Sequence, residues 1–239
     1  MNRPAYLSPF VLPVTPAARE RHERVDVYPP GVTGQLPAVV FVHGGPIPAN
    51  LEPTPRDWPV YLGYAAAAVA RRAVAVTVDH RLHTSADYPQ AARDVADAVE
   101  TARQDSRVDP DRVAIWFFSG GGLLMSDWLR EPPSWLRCVA ATYPVLDELP
   151  DRTVDPRFRP TEAVAGAGSL PIVLTTVGLE RADIAATIGP FVDAARAHDA
   201  NLEVIDVPNG QHGFDHLDHT DESRKAVERA LDRVFAELF

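Results

Sequence analysis

The chain of 239 residues has a single cysteine, Cys138, so no intrachain disulfide can form. Cys138 lies in the apolar run Cys138-Val139-Ala140-Ala141 and lacks the turn context a nucleophile needs, which assigns it to the core. No apolar stretch approaches the roughly 18 residues of a membrane-spanning helix. At the N-terminus, Met1-Asn2-Arg3-Pro4-Ala5-Tyr6 shows no basic region followed by a long apolar core, so a secretory signal is not expected. Excess positive charge is missing as well. The net charge of −10 argues against nucleic acid and anionic membranes as partners, because both reward basic patches. Internal repeats and low-complexity tracts are absent from the sequence. A cytoplasmic location is the default expectation for such a chain. With 46% hydrophobic and 23% charged residues, the composition is that of an ordinary globular protein whose core needs no staples.

What is present is an alternation of short apolar runs and helical patterns. Arg24 to Tyr28 alternates polar and apolar residues like an edge strand, and Pro29-Pro30-Gly31 ends it. Strands are predicted at 39–42, 74–78, 113–118, 138–143, 172–177 and 202–207. Helices are predicted near 60–72, behind Pro89, after Leu123, from Ile184 and over the last residues. The last carries Ala226, Val227, Ala230, Leu231, Val234 and Leu238 on one face. Such alternation implies an α/β fold with a mostly parallel sheet covered by helices on both faces, and a ligand site at the carboxyl ends of its strands.

Three motifs follow strand ends. The first is Phe117-Phe118-Ser119-Gly120-Gly121-Gly122, in which an apolar run stops at a serine and three glycines before a helix-capable segment. Strand, serine, glycine and helix in that order describe a nucleophile elbow, whose sharp turn exposes the hydroxyl at a helix N-terminus. Neighbouring chain must pass close to such a turn, so glycine belongs two residues after the serine, and Gly121 is there. The second is His43-Gly44-Gly45-Pro46, whose glycine backbone can approach an oxyanion without a Cβ in the way. The third is Asn209-Gly210-Gln211-His212-Gly213-Phe214, a glycine-flanked histidine late in the chain that can serve as general base.

With these motifs, together with Val78-Asp79-His80-Arg81-Leu82 through Tyr88-Pro89 and Asp109-Pro110-Asp111-Arg112-Val113, the chain resembles the α/β-hydrolase superfamily from about Leu36 onward. It looks most like the esterases and lipases related to hormone-sensitive lipase and the bacterial carboxylesterases. The resemblance implies one α/β-hydrolase domain over residues 1–239 with a minimal cap, preceded by an irregular segment at 1–23. It implies a serine hydrolase of small carboxylic esters working through an acyl-enzyme, with Ser119 as nucleophile, His212 as base, and Gly44, Gly45 and Gly120 as the oxyanion hole. No metal or organic cofactor is required. In two places the chain departs from the family. Phe117 and Phe118 precede the serine where a small residue and an acid are usual, and Pro46 replaces the last glycine of His-Gly-Gly-Gly.

The base needs an acid on its other ring nitrogen. In this fold the acid follows a later strand, and Gly178-Leu179-Glu180-Arg181-Ala182-Asp183 offers two carboxylates. The family's usual spacing lands on Glu180. Asp183 is the alternative, or else the cap of the helix starting near Ile184. Acyl transfer or cyclisation by the same triad, and a non-catalytic ligand receptor on the same fold, remain the other readings. Asp215-His216-Leu217-Asp218-His219 matches no metal-ligand spacing and is expected to be a solvated loop. Two irregular insertions, 46–58 and 147–168, are expected to wall the pocket, with Trp58, Phe158 and Phe118 narrowing it for short acyl chains.

Overall fold

A computed structural model of the chain describes residues 4–150 and 152–239. Eight strands form one sheet: β1 (Glu20–His22), β2 (Val25–Tyr28), β3 (Leu36–Val42), β4 (Val74–Val78), β5 (Val108–Phe118), β6 (Leu136–Thr142), β7 (Ile172–Leu179) and β8 (Leu202–Gln211). Their spatial order is β1-β2-β4-β3-β5-β6-β7-β8. β1 and β2 are antiparallel to their neighbours, and β3 to β8 run parallel.

Helices α1 (Pro59–Ala70), α2 (Tyr88–Gln104), α3 (Ser126–Arg130), α4 (Pro160–Ala163), α5 (Ala182–Ala197), α6 (Phe214–Leu217) and α7 (Asp221–Ala236) accompany the sheet. The period-2 alternation of strand side chains decides the layering. Val113, Ile115 and Phe117 of β5 join the core layer that holds Ala91, Val95 and Val99 of α2 and Phe191 of α5. Ala114, Trp116 and Phe118 join the opposite layer, with Tyr61 and Tyr64 of α1 and Val227 and Leu231 of α7. A central parallel strand is therefore apolar on both faces and reads as a continuous hydrophobic run.

The segment expected to be irregular, residues 1–23, contains a turn of 3-10 helix at Ala5–Leu7 and the strand β1; Met1 to Arg3 lie outside the described residues. All three residues of β1 are exposed, so no apolar alternation marked it. The helix expected after Ser119 is a 3-10 helix, Ser119–Met125, that passes into the five-residue α3. Three consecutive glycines are poor formers of a regular α-helix. β8 extends to Gln211, so His212 leaves directly from a strand end. The second insertion is not wholly irregular, since it includes α4 and a 3-10 turn at Val164–Gly166. Among the described residues no helix is long and apolar enough to cross a membrane.

Candidate active site

Because β3 and β5 to β8 are parallel, everything that follows them emerges on one edge of the sheet. Ser119 follows β5 immediately and has φ of +51°, in the left-handed region that a residue with a Cβ seldom adopts. Such a backbone costs about 1–3 kcal/mol and persists only where its surroundings hold it. Here the Val145 N–H donates to the Ser119 carbonyl at 2.9 Å, and the Tyr88 hydroxyl donates to the Gly120 carbonyl at 2.9 Å. The glycines record how closely the loops meet. A Cβ on Gly120 would lie 2.0 Å from the Gly45 carbonyl oxygen, and one on Gly121 2.4 Å from that of His43. Phe117 fits beside the elbow because its partner across β6 is Ala141 and its ring belongs to the buried α2 layer.

Ser119 Oγ lies 2.7 Å from His212 Nε2, and His212 Nδ1 lies 2.6 Å from Glu180 Oε2. A carboxylate accepts only, so Nδ1–H donates to Glu180 and Nε2 is left to accept the serine hydroxyl. The other Glu180 oxygen accepts the Arg181 N–H at 2.7 Å. The Glu180 side chain is 4% exposed although its neighbour Leu179 is 64% exposed. Asp183 is not part of this chain of bonds. It sits in the first turn of α5, where its ion pair with Arg181 holds its carboxyl below the usual range. Nor does Asp183 cap the helix: α5 starts at Ala182, and the cap position is Arg181, with no side-chain cap bond.

Of the three amides expected to line an oxyanion hole, that of Gly44 is directed elsewhere. Its N–H donates to the buried Tyr61 hydroxyl at 3.3 Å, and burial raises the Tyr61 pKa, so that hydroxyl stays neutral. Gly45 and Gly120 N–H groups have no hydrogen-bond partner among the described residues. Pro46 has no N–H to offer. Beneath this loop His43 and His80 stack, with ring centroids 3.7 Å apart and 15° between planes. His80 Nε2–H donates to the His43 carbonyl at 2.8 Å, and His43 Nδ1–H to that of Gly44. Burial pushes the His43 pKa down to about 4 and that of His80 well below its ordinary value, so both rings are neutral. In the sequence His80 stands only within the Val78-Asp79-His80-Arg81-Leu82 motif, and no periodicity places it under the His43 loop.

The BD-FAE family model matches residues 25–126, less than half of the chain. No curated protein matches it. Solved structures match over nearly its full length. EstE1, a thermostable carboxylesterase from a metagenomic library, has 20% identity and a TM-score of 0.74, covering 96% of this chain and 92% of its own. Carboxyl esterase 2 of the fungus Tuber melanosporum has 17% identity and a TM-score of 0.69, with 90% and 83% covered. The Thermogutta terrifontis esterase 2 phosphoramylated by tabun has 16% identity and a TM-score of 0.68, with 94% of each chain covered. The chain has the α/β-hydrolase fold.

Beside Gly45 and Gly120 of this hydrolase fold runs a narrow crevice of ≈ 20 Å³, walled by Pro46, Tyr88, Leu149, Arg152 and Val154. Both insertions contribute to it, but the aromatics expected to narrow it do not. Phe118 points to the α1 layer, edge-on to Tyr61 at 5.3 Å, and Phe158 is buried with its ring 5.6 Å from that of Tyr88. Trp58 stacks on Tyr6 at 4.7 Å. The segment 215–219, expected to be a solvated loop, begins within a helical turn and is partly buried. Residues Phe214–Leu217 form α6, and Asp215 is 0% exposed. Periodicity cannot reveal a carboxylate buried on a four-residue helix. Among the described residues no group of three His, Cys, Asp or Glu is placed to hold a metal ion.

Proposed function

We propose that the protein is a serine hydrolase of small carboxylic esters that works through an acyl-enzyme. The bonded series Ser119–His212–Glu180, set on a serine with a left-handed backbone, carries this reading. Ser119 Oγ attacks the ester carbonyl while His212 Nε2 takes its proton, and Glu180 stabilises the imidazolium and fixes its tautomer. The Gly45 and Gly120 amides hold the oxyanion; Gly44, committed to Tyr61, is left out of the hole. His212 returns the proton to the departing alcohol. Water then attacks the acyl-enzyme, losing its proton to the same nitrogen, and the acid and free Ser119 result. The whole chain acts as one domain in this reading, because a single sheet supplies every group. The free, buried thiol of Cys138 suits the reducing cytoplasm.

Tabun modification of the Thermogutta esterase supports testing with an organophosphorus probe. A fluorophosphonate should label Ser119 alone, and Ser119→Ala should lose ester hydrolysis by ~10³-fold or more while remaining folded. An active Ser119→Ala protein, or an intact-mass adduct on another serine, would overturn the assignment.

A further inference from the structure

Asp215 is a fully buried acid to which the proposed reaction gives no role. Three groups face it. The Tyr143 hydroxyl donates to Oδ1 at 2.9 Å and Oδ2 at 3.0 Å, the Tyr64 hydroxyl donates to Oδ2 at 3.1 Å, and His216 Nδ1 lies 3.0 Å from Oδ1. Burial, and then the Asp215 charge, hold both phenols well above their ordinary pKa, so they remain donors. Burying a carboxylate carries a heavy desolvation cost, and an apolar side chain would fill the same space without it. The cost calls for a use.

Tyr143 supplies one. Its ring packs against the His212 imidazole, with centroids 4.7 Å apart at 54°, and stands edge-on to Phe214 at 6.0 Å. Its backbone, the first residue after β6, has φ of +39°, and its N–H is tied to the Thr175 carbonyl at 2.8 Å. Asp215 lies three residues beyond His212, across the left-handed Gly213 with φ of +82°. The contacts therefore close a circuit, from the His212 ring to the Tyr143 ring, through the phenol to Asp215, and back along the chain to His212. Glu180 fixes one edge of the imidazole, and the circuit restrains the ring from a direction that Glu180 does not reach.

We propose that Tyr143 is a positioning residue for His212, held against the imidazole by the buried Asp215 carboxylate. The proposal rests on the serine-hydrolase reading above. Proton transfer through Nε2 is needed in both halves of that reaction, and misplacing a reacting group by about 1 Å can cost ~10²-fold in rate.

Two matched variants test this. Tyr143→Phe and Tyr64→Phe each remove one phenol from Asp215, but Tyr64 packs against Phe41 and Trp116 in the core and only Tyr143 touches His212. Tyr143→Phe should lower kcat on p-nitrophenyl acetate by ~10-fold or more with KM within about twofold. Tyr64→Phe should keep kcat within about twofold while losing a similar amount of thermal stability. The downfield proton NMR signal of the Nδ1–H shared by His212 and Glu180 should survive in Tyr64→Phe and be lost or broadened in Tyr143→Phe. Equal kcat in wild type and Tyr143→Phe, or equal slowing by both variants, overturns the proposal. An active Ser119→Ala protein overturns the hydrolase reading instead, and the NMR comparison still decides whether Tyr143 fixes the ring.

Discussion

His43 and His80 lie face to face at 3.7 Å beneath the loop that carries the Gly45 amide. Both are neutral in the folded protein, with His43 at about 4 against an ordinary value of 6.5. Between pH 6.5 and 4 the unfolded chain therefore binds more protons than the folded one, and stability falls as pH falls through that window. His43 alone accounts for roughly 3 kcal/mol across it, at 1.36 kcal/mol per unit. Carboxyls held down by arginine, such as Asp105 beside Arg107, lose their contribution only lower, as pH falls below their ordinary 3.8. Urea unfolding at pH 7.5, 5.5 and 4.5 checks this, and midpoints that do not fall toward pH 4.5 contradict it.

The two carboxylates after β7 differ in what they touch, and isosteric changes separate them. Glu180→Gln removes the acceptor of His212 Nδ1–H and should lower kcat by ~10³-fold or more. Asp183→Asn breaks only an exposed ion pair with Arg181 and should leave kcat within about twofold. The opposite ranking, read from steady-state kinetics, would transfer the acid role to Asp183.

Gly120→Ala drives a methyl group onto the Gly45 carbonyl, with 2.0 Å available, and parts the two loops. The expected loss in kcat/KM is ~10²-fold or more, because the proposed oxyanion donors move with the backbone. Tyr61→Phe strips the Gly44 N–H of its buried acceptor and should cost about 1–3 kcal/mol of stability, with kcat/KM within about threefold. A collapse of kcat/KM in Tyr61→Phe would point back to Gly44 as a donor.

The crevice walled by Pro46, Leu149 and Val154 holds little space, so kcat/KM across p-nitrophenyl esters should peak between acetyl and hexanoyl. Burying one more methylene contributes about 0.8 kcal/mol, roughly fourfold. Leu149→Ala should therefore move the optimum by one or two carbons and raise kcat/KM for the longer esters about fourfold per carbon. A wild-type maximum at dodecanoyl, measured below micelle formation, would rule out the narrow crevice.

The sequence by itself determined what local pattern encodes. Apolar runs such as Val74–Val78 and Val113–Phe118 specify buried parallel strands, because side-chain alternation and burial on both faces leave a continuous hydrophobic signature. Ser119 before Gly120 and Gly121 was legible for the same reason, since a strained turn under close backbone contact admits only certain residues. Tertiary structure decided the matters that depend on which strand ends meet. Glu180 rather than Asp183 faces His212, although the two are three residues apart, because the strand end aims one inward and Arg181 holds the other outside. The Gly44 amide turns to Tyr61, which α1 brings from 17 positions along the chain. His80 reaches the His43 carbonyl across 37 positions, and Asp215 meets Tyr143 across 72 and Tyr64 across 151. Contacts at such separations leave no periodicity in the sequence, because they are made by the packing of the sheet and its helices and not by neighbours along the chain.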